Sequence, residues 1–198
     1  INYSNSKFSI EEIDKKKSIR FALGAIKGVG IKSMNSVVHE RKKNGPFLDI
    51  IDFTSRLSGE VINKRQLEKL IQAGCFDEIE KNRAKIFSNV PNLVEIYGGN
   101  KNKNNDQDML FEDNKISFND SNLFSQNVPE WNSVFLLKNE LEVVGFYFSD
   151  HPLSFYPQIY FKQNNIIDWE DLKSNLDIKN AKIVGSILDI KERSNKDG

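Results

Sequence analysis

The sequence predicts a mainly α-helical protein with two helix–turn–helix units in tandem, followed by a polar linker, a helical segment and the start of a β-structure. Three observations predict this fold class. Apolar residues recur at helical spacing before residue 98, glycines and capping residues separate these runs, and the next stretch is rich in Asn, Asp and Lys without periodicity. With 198 residues, the chain is long enough for one to two domains with a core.

The first 20 residues form a polar lead-in with short strand-like pieces. Phe8 and Ile10 precede a charged turn at Asp14–Lys17, and Ile19 follows it. We therefore expect extended backbone on both sides of this turn.

The stretch from Leu23 to Ser33 predicts a short helix, a glycine hairpin and the first turn of a second helix. Glycines permit a tight, partly left-handed turn and leave no side chain between the backbone and a phosphate. Free N–H groups and the positive end of the next helix favour an anion. An ordinary helix–helix turn without a ligand fits the same pattern. The candidate phosphate-binding residues are Lys27, Gly28, Val29, Gly30, Ile31, Lys32 and Ser33.

The helix after this hairpin is predicted from about Ile31 to Lys43. Ile31, Met34 and Val38 fall on one face, which predicts the side that packs on the core. The sequence Asn44-Gly45-Pro46 ends the helix.

A second helix pair follows the first. Asp49 can cap a helix whose apolar face carries Ile50, Phe53 and Leu57. Asn63 and Gln66 then form a capping-box pattern for a helix that ends at Gly74. Its inward residues are predicted to be Leu67, Leu70 and Ile71. The turn between these two helices has one glycine instead of two, so we predict a structural role for it.

Three further elements are predicted after the second pair. A helix starts near Asn82 and is kinked or broken by Pro91. Another helix resumes from Pro129. The run from Ala181 to Lys191 is typical of a β-strand with a glycine bulge.

Residues 99–128 have the composition of a flexible linker, but they contain a short apolar island, Met109-Leu110-Phe111. Exposed Met, Leu and Phe in a solvated chain indicate a short peptide that docks into the pocket of a partner. The alternative is that the island folds back onto the helical domain. A second island, Asn122–Phe124, lacks a glutamine at the matching position. The candidate docking residues are Gln107, Asp108, Met109, Leu110 and Phe111.

Charge and cysteine content narrow the class of protein. Residues 1–98 hold 17 Lys and Arg against 12 Asp and Glu, whereas residues 99–198 hold 11 against 16. The basic half suggests a polyanionic partner, although solvated helix faces would also account for it. The single cysteine, Cys75, excludes an internal disulfide and fits a reducing compartment, so we expect a cytoplasmic protein. No apolar run is long enough to span a membrane, and the chain begins at Ile1, which suggests a fragment.

Three stretches resemble one known family. Residues 19–30, 63–77 and 141–153 resemble, in order and at about the right spacing, the bacterial DNA polymerase III alpha-subunit family of the DnaE type. Asp150 departs from the glycine that the family more often has at that position.

This resemblance implies four regions and several partners. Residues 1–98 would be a tandem helix-hairpin-helix domain that binds duplex DNA through its phosphates. Residues 99–128 would carry a motif for the sliding clamp, with Gln107, Met109, Leu110 and Phe111 matching it. A helical segment at 129–160 would lead into an incomplete OB-fold at 161–198. The parent would be a replicative DNA-directed DNA polymerase that works with other replicase subunits.

No residue pattern in the chain supports catalysis or metal binding. The palm domain of the family, with its metal-binding aspartates and the Mg²⁺ expected there, is missing from this sequence. His39 and His151 lie far apart; we expect the first on a helix surface and the second capping or packing a turn. Two rival interpretations are a helix-hairpin-helix module of a DNA repair protein without clamp contact, and a scaffold that binds only protein.

Overall fold

The computed structural model describes residues 1–57, 59, 61–97, 127–174 and 179–192. The chain divides into two compact units, Ile1–Phe148 and Ser149–Gly198. Among the described residues, no helix has the length and apolar character needed to cross a membrane. The four-region division predicted from the sequence stays a prediction, but the helix predicted after Pro129 belongs to the first unit, together with the helices that precede residue 98.

A two-stranded antiparallel sheet opens the first unit. β1 covers Ser9–Ile13 and β2 covers Lys16–Arg20, with Ile10 opposite Ile19. Asp14 and Lys15 form the turn in left-handed conformations, with φ values of 50° and 64°. The strand-like pieces predicted around this turn are confirmed at Ile10 and Ile19, whereas Phe8 precedes β1. The turn is shorter than the predicted Asp14–Lys17, because β2 begins at Lys16.

The helix predicted after the glycine hairpin is α1, Ile31–Asn44. Its buried face consists of Met34, Val37 and Val38. The predicted face was wrong at Ile31, which lies in the first turn with an exposed side chain. Met34 lies between Val37 and Val38 on one arc of about 100° around the helix, so Val37 provides the third core contact.

The second predicted helix pair is also present. α2 covers Ile50–Arg56, and the Asp49 side chain accepts a hydrogen bond from the Asp52 N–H at 2.7 Å. α3 covers Lys64–Gln72 and begins with a complete capping box. As predicted, the apolar side chains of these helices are buried: Ile50, Phe53, Leu57, Leu67, Leu70 and Ile71.

Three phenylalanines form the centre of the core. Phe53 stacks edge-on against Phe47, with ring centroids 4.9 Å apart, and against Phe76 at 5.0 Å. Such edge-to-face pairs add to the free energy gained by burying the rings. The loop before α2, α2 itself and the loop after α3 therefore meet at one point.

Two longer helices complete the first unit. α4 covers Arg83–Tyr97 and continues through Pro91, so of the two predicted effects of this proline the break does not occur, and the kink stays a prediction. α5 covers Ser133–Val144, with the Asn132 side chain as its cap.

A buried charge network joins α4 to α5. The Arg83 guanidinium, 3% exposed, lies 2.9 Å from the fully buried carboxylate of Glu140 and 2.6 Å from Asp77. The second oxygen of Glu140 accepts the N–H of Phe148 at 2.8 Å. Because each buried charge has a hydrogen-bonded partner of opposite charge, the free-energy cost of removing it from water is offset. This network fixes α5 against the helices that precede the predicted linker.

The second unit has two short helices among its described residues. A 3-10 turn at Pro152–Phe155 is capped by the Nδ1 of His151, which accepts the N–H of Leu153 at 3.2 Å. The capping role expected for His151 is therefore confirmed. α6 covers Gln158–Gln163 and α7 covers Trp169–Ser174.

The strand predicted from Ala181 to Lys191 is not formed. Only Lys182 pairs, in a single parallel bridge with Ile166. The alternating pattern supplies strand-forming side chains, but a strand also needs a partner for its N–H and C=O groups, and the described residues offer that partner at one position. The assignment of residues 161–198 to an OB-fold stays a prediction.

Candidate nucleic-acid interface

The glycine hairpin has the backbone geometry that its sequence predicts. Gly28 and Gly30 both have positive φ, 82° and 84°, a conformation that favours glycine. Val29 between them is fully buried, whereas both glycines are exposed. One apolar side chain therefore anchors the hairpin in the core, and the backbone on either side of it faces solvent.

The first turn of α1 follows this hairpin directly. Gly30 is the N-cap, and the helix start has no capping side chain. In an α-helix the first N–H groups have no carbonyl partner within the helix. The N–H groups at the start of α1 are thus available to an anion beside the exposed glycine backbone.

Three cations surround the hairpin. Lys27 and Lys32 are exposed, as is Arg65 in the first turn of α3. A Cβ atom placed on Gly28 would lie 4.0 Å from Arg65 Nε, so this guanidinium borders the hairpin. Within the part of the chain that the structure describes, none of these three side chains forms an ion pair, which leaves their charge available to a ligand.

A fourth cation near the hairpin is already paired. Lys69 Nζ lies 2.7 Å from a carboxylate oxygen of Glu142 in α5. The hydrogen bond from Lys69, together with its charge, lowers the pKa of Glu142 below its ordinary value. Glu142 therefore stays ionised at neutral pH and neutralises Lys69.

Two later segments hold the hairpin in place. The N–H of Lys27 donates to the carbonyl of Val143 at 2.8 Å, at the end of α5. From the other side, Gln66 Nε2 donates to the carbonyl of Val29 and, at 3.0 Å, to the hydroxyl of Ser33. The hairpin conformation thus depends on contacts with residues far along the chain.

The predicted phosphate-binding residues lie together, but they face different ways. Those that are exposed include Lys27, Gly28, Gly30 and Lys32. The buried side chain of Val29 anchors the hairpin in the core, and Ser33 accepts a hydrogen bond from Gln66. Their role in binding stays a prediction. The candidate docking residues Gln107, Asp108, Met109, Leu110 and Phe111 lie outside the described residues.

Sequence reasoning missed the contribution of α3 to this site. The capping-box pattern singled out Gln66 only for the helix in which it lies, and Arg65 was not singled out. Both lie more than 30 positions from the hairpin, so only the folded structure, in which Gln66 donates to the Val29 carbonyl and to the Ser33 hydroxyl, reveals their proximity. The signal that could have found them is the basic first turn of α3, which contains Lys64 and Arg65.

Comparisons with known proteins identify a matching family model and several similar relatives. A family model described as "Helix-hairpin-helix motif" matches residues 1–86. The chain is 36% identical over 99% of its length to DNA polymerase III subunit alpha of Campylobacter jejuni, of which the match covers 16%. It is 36% identical over 77% of its length to the Caulobacter vibrioides subunit and 38% over 82% to the Rickettsia felis subunit, covering 13% of each. The chain is thus similar, over most of its length, to one segment of DNA polymerase III alpha subunits, and it spans 13–16% of the length of these relatives.

Proposed function

We propose that the first unit binds duplex DNA through its sugar–phosphate backbone with little sequence preference. The observation that carries this proposal is the exposed backbone at Gly28 and Gly30 beside Lys27, Lys32 and Arg65, whose charges have no ion-pair partner among the described residues. The match to the helix-hairpin-helix motif supports it.

The chemistry of the hairpin suits a phosphate better than a base. Phosphate oxygens accept hydrogen bonds from backbone N–H groups, and the missing side chains at the glycines allow close approach. Such contacts place a protein on the duplex but carry no base code. A site with few contacts gives modest affinity, with a log–log salt slope of about one for each neutralised phosphate.

Charge reversal at the hairpin tests this proposal. The double substitution Lys27→Glu and Lys32→Glu should abolish duplex binding measured by fluorescence anisotropy, because it repels the phosphates that the hairpin would contact. The matched control is Lys42→Glu with Lys43→Glu at the far end of α1, which makes the same change in net charge at two exposed positions. Circular dichroism should show that both variants stay folded.

Two outcomes contradict the proposal. Affinity that does not change between low and moderate salt excludes phosphate contacts. Equal loss of affinity in the hairpin variant and in the control indicates a general charge effect with no local site.

For the longer protein, we propose template-directed DNA synthesis in chromosome replication. Its relatives are named as DNA polymerase III alpha subunits, and this chain spans 13–16% of the length of those compared. We place the Mg²⁺ expected for such a polymerase in the palm domain of the longer protein, outside this segment. The proposal includes a cytoplasmic location and association with other replicase subunits.

We further propose that residues 107–111 tether the polymerase to the sliding clamp. The observation behind it is the Met109-Leu110-Phe111 island in a polar stretch, preceded by Gln107. Burying each apolar side chain in a cleft contributes roughly 1.5–3 kcal/mol. Ordering the peptide offsets much of that gain, so we expect a Kd on the order of micromolar. Such a contact keeps the polymerase near the primer end while allowing exchange.

A peptide titration tests the tether. A synthetic peptide of residues 104–114 should bind a purified bacterial clamp, and replacing Leu110 and Phe111 by Ala should remove most of the binding. In the whole chain, the same replacement at Leu123 and Phe124 is the control and should cost little. No binding of the unmodified peptide at hundreds of micromolar would exclude the tether.

A further inference from the structure

The side-chain amide of Gln66 connects the second helix pair, in which it lies, to the glycine hairpin of the first. Its Nε2 group donates to the carbonyl of Val29 and to the hydroxyl of Ser33, 37 and 33 positions earlier in the chain. We propose that Gln66 is a positioning residue for DNA binding, which holds the glycine hairpin in the conformation that presents its backbone to a phosphate. This inference rests on the function proposed for the hairpin.

The hairpin needs an external constraint because its glycines provide none. Glycine loses more conformational freedom on folding than any other residue, and here two glycines flank a single anchored side chain. The carbonyl of Val29 lies between them, so a hydrogen bond to this atom limits rotation on both sides. The second bond, to Ser33, ties the same amide to the first turn of α1. One side chain thus fixes the hairpin relative to the helix start.

The capping box of α3 orients this amide. Gln66 Oε1 accepts the N–H of Asn63 at 3.0 Å, and the N–H of Gln66 donates to Asn63 Oδ1 at 3.0 Å. Exchanging the oxygen and nitrogen of the Gln66 amide would place an acceptor against the Val29 carbonyl and a donor against the Asn63 N–H. The cap therefore determines which end of the amide faces the hairpin.

A separate contact holds the other end of the hairpin. The N–H of Lys27 donates to the carbonyl of Val143, and this bond does not involve Gln66. Loss of Gln66 should therefore loosen the hairpin around Val29 without releasing it from the core, where the Val29 side chain is fully buried. The expected consequence is weaker DNA binding by a protein that is still folded.

The test compares two variants of the complete chain. Gln66→Met keeps the length and helix propensity of the side chain but removes both donors. Asn63→Ala is the matched control, because it removes the side-chain cap of α3 while the backbone N–H of Asn63 and both donor contacts of Gln66 persist. We expect Gln66→Met to weaken binding to a duplex of random sequence about tenfold at fixed salt, from the loss of two hydrogen bonds. Asn63→Ala should stay within about twofold.

Hydrogen exchange provides a readout that a loss of stability alone would not reproduce. In Gln66→Met, the two hydrogen-bonded N–H groups of the hairpin and helix start should exchange faster: that of Val29, which donates to the carbonyl of Ile26 at 3.2 Å, and that of Met34, which donates to the carbonyl of Gly30 at 3.3 Å. Those in the middle of α1 and α3 should keep their rates. Asn63→Ala should instead affect the first turn of α3.

The outcomes separate this inference from the function on which it rests. If the unmodified chain does not bind duplex DNA, the function proposed for the hairpin is wrong and the role of Gln66 in it is wrong too. If the chain binds DNA and Gln66→Met binds equally well, only the positioning role is overturned. Equal losses of affinity in Gln66→Met and Asn63→Ala would also overturn it, because helix stability would then explain both.

Discussion

The two units of this protein contain similar apolar side chains but bury them to different extents. Every residue that is buried among those described lies in the first unit, before position 144. In the second unit no described residue is buried, and many of its large apolar side chains are exposed, including Phe155, Tyr156, Ile159, Tyr160 and Trp169. An amphipathic pattern is enough to form a helix in either unit, but among the described residues only those of the first unit provide the partners that bury the apolar face in a core.

The largest expected effect of this difference is on the free energy of unfolding when a phenylalanine is replaced by alanine. Phe53→Ala should reduce the free energy of unfolding of the first unit by about 3–5 kcal/mol, because it empties the space between Phe47 and Phe76. Phe155→Ala, at a side chain that is 45% exposed, should change it by less than about 1 kcal/mol. Urea denaturation of both variants provides the measurement.

Cys75 makes the measurement specific to the first unit. It is the one cysteine of the chain and packs against the core. Burial raises the pKa of its thiol to about 11, which suppresses the reactive thiolate at neutral pH. Pulsed labelling of this thiol in urea therefore reports the unfolding of its own unit. Equal shifts in the labelling midpoint for Phe53→Ala and Phe155→Ala would contradict the comparison between the units.

The parts of the fold that were predictable depend on local chemistry. The capping residues Asp49 and Asn63 make the hydrogen bonds that their spacing predicts, and Gly28 and Gly30 adopt the left-handed conformations that a tight hairpin requires. In each case, the signal and the structure lie within a few residues. The apolar faces of α2 and α3 were predictable for the same reason.

The features of the fold that sequence analysis did not predict depend on partners distant in sequence. The 181–191 run has the composition of a strand, yet one bridge to Ile166 is the pairing that it makes among the described residues. Arg83 and Glu140 meet across 57 positions, on either side of a stretch predicted to be a linker. Gln66 looked like a local cap, and its contacts with the hairpin follow from helix packing. Periodicity and capping patterns carry no information about such pairings.

A pair of glycines tests the same comparison with a smaller expected effect. Gly74 ends α3 with φ of 74°, and a Cβ atom there would lie 2.3 Å from Arg83 Nη2 and 2.8 Å from Asp77 Oδ2. Arg83 cannot move away cheaply, because the same guanidinium neutralises buried Glu140. Gly185, in the second unit, has nothing within 4 Å of the corresponding position.

We therefore expect Gly74→Ala to cost about 1–3 kcal/mol of unfolding free energy, from the strained backbone alone, with displacement of Arg83 adding to it. Gly185→Ala should stay within about 0.5 kcal/mol, as is usual for surface substitutions. Far-ultraviolet circular dichroism in urea measures both, and it avoids a thiol probe next to the substituted residue. A Gly74→Ala variant as stable as Gly185→Ala would show that the end of α3 tolerates a side chain. The Arg83–Asp77 contact would then not be the rigid junction that the geometry indicates.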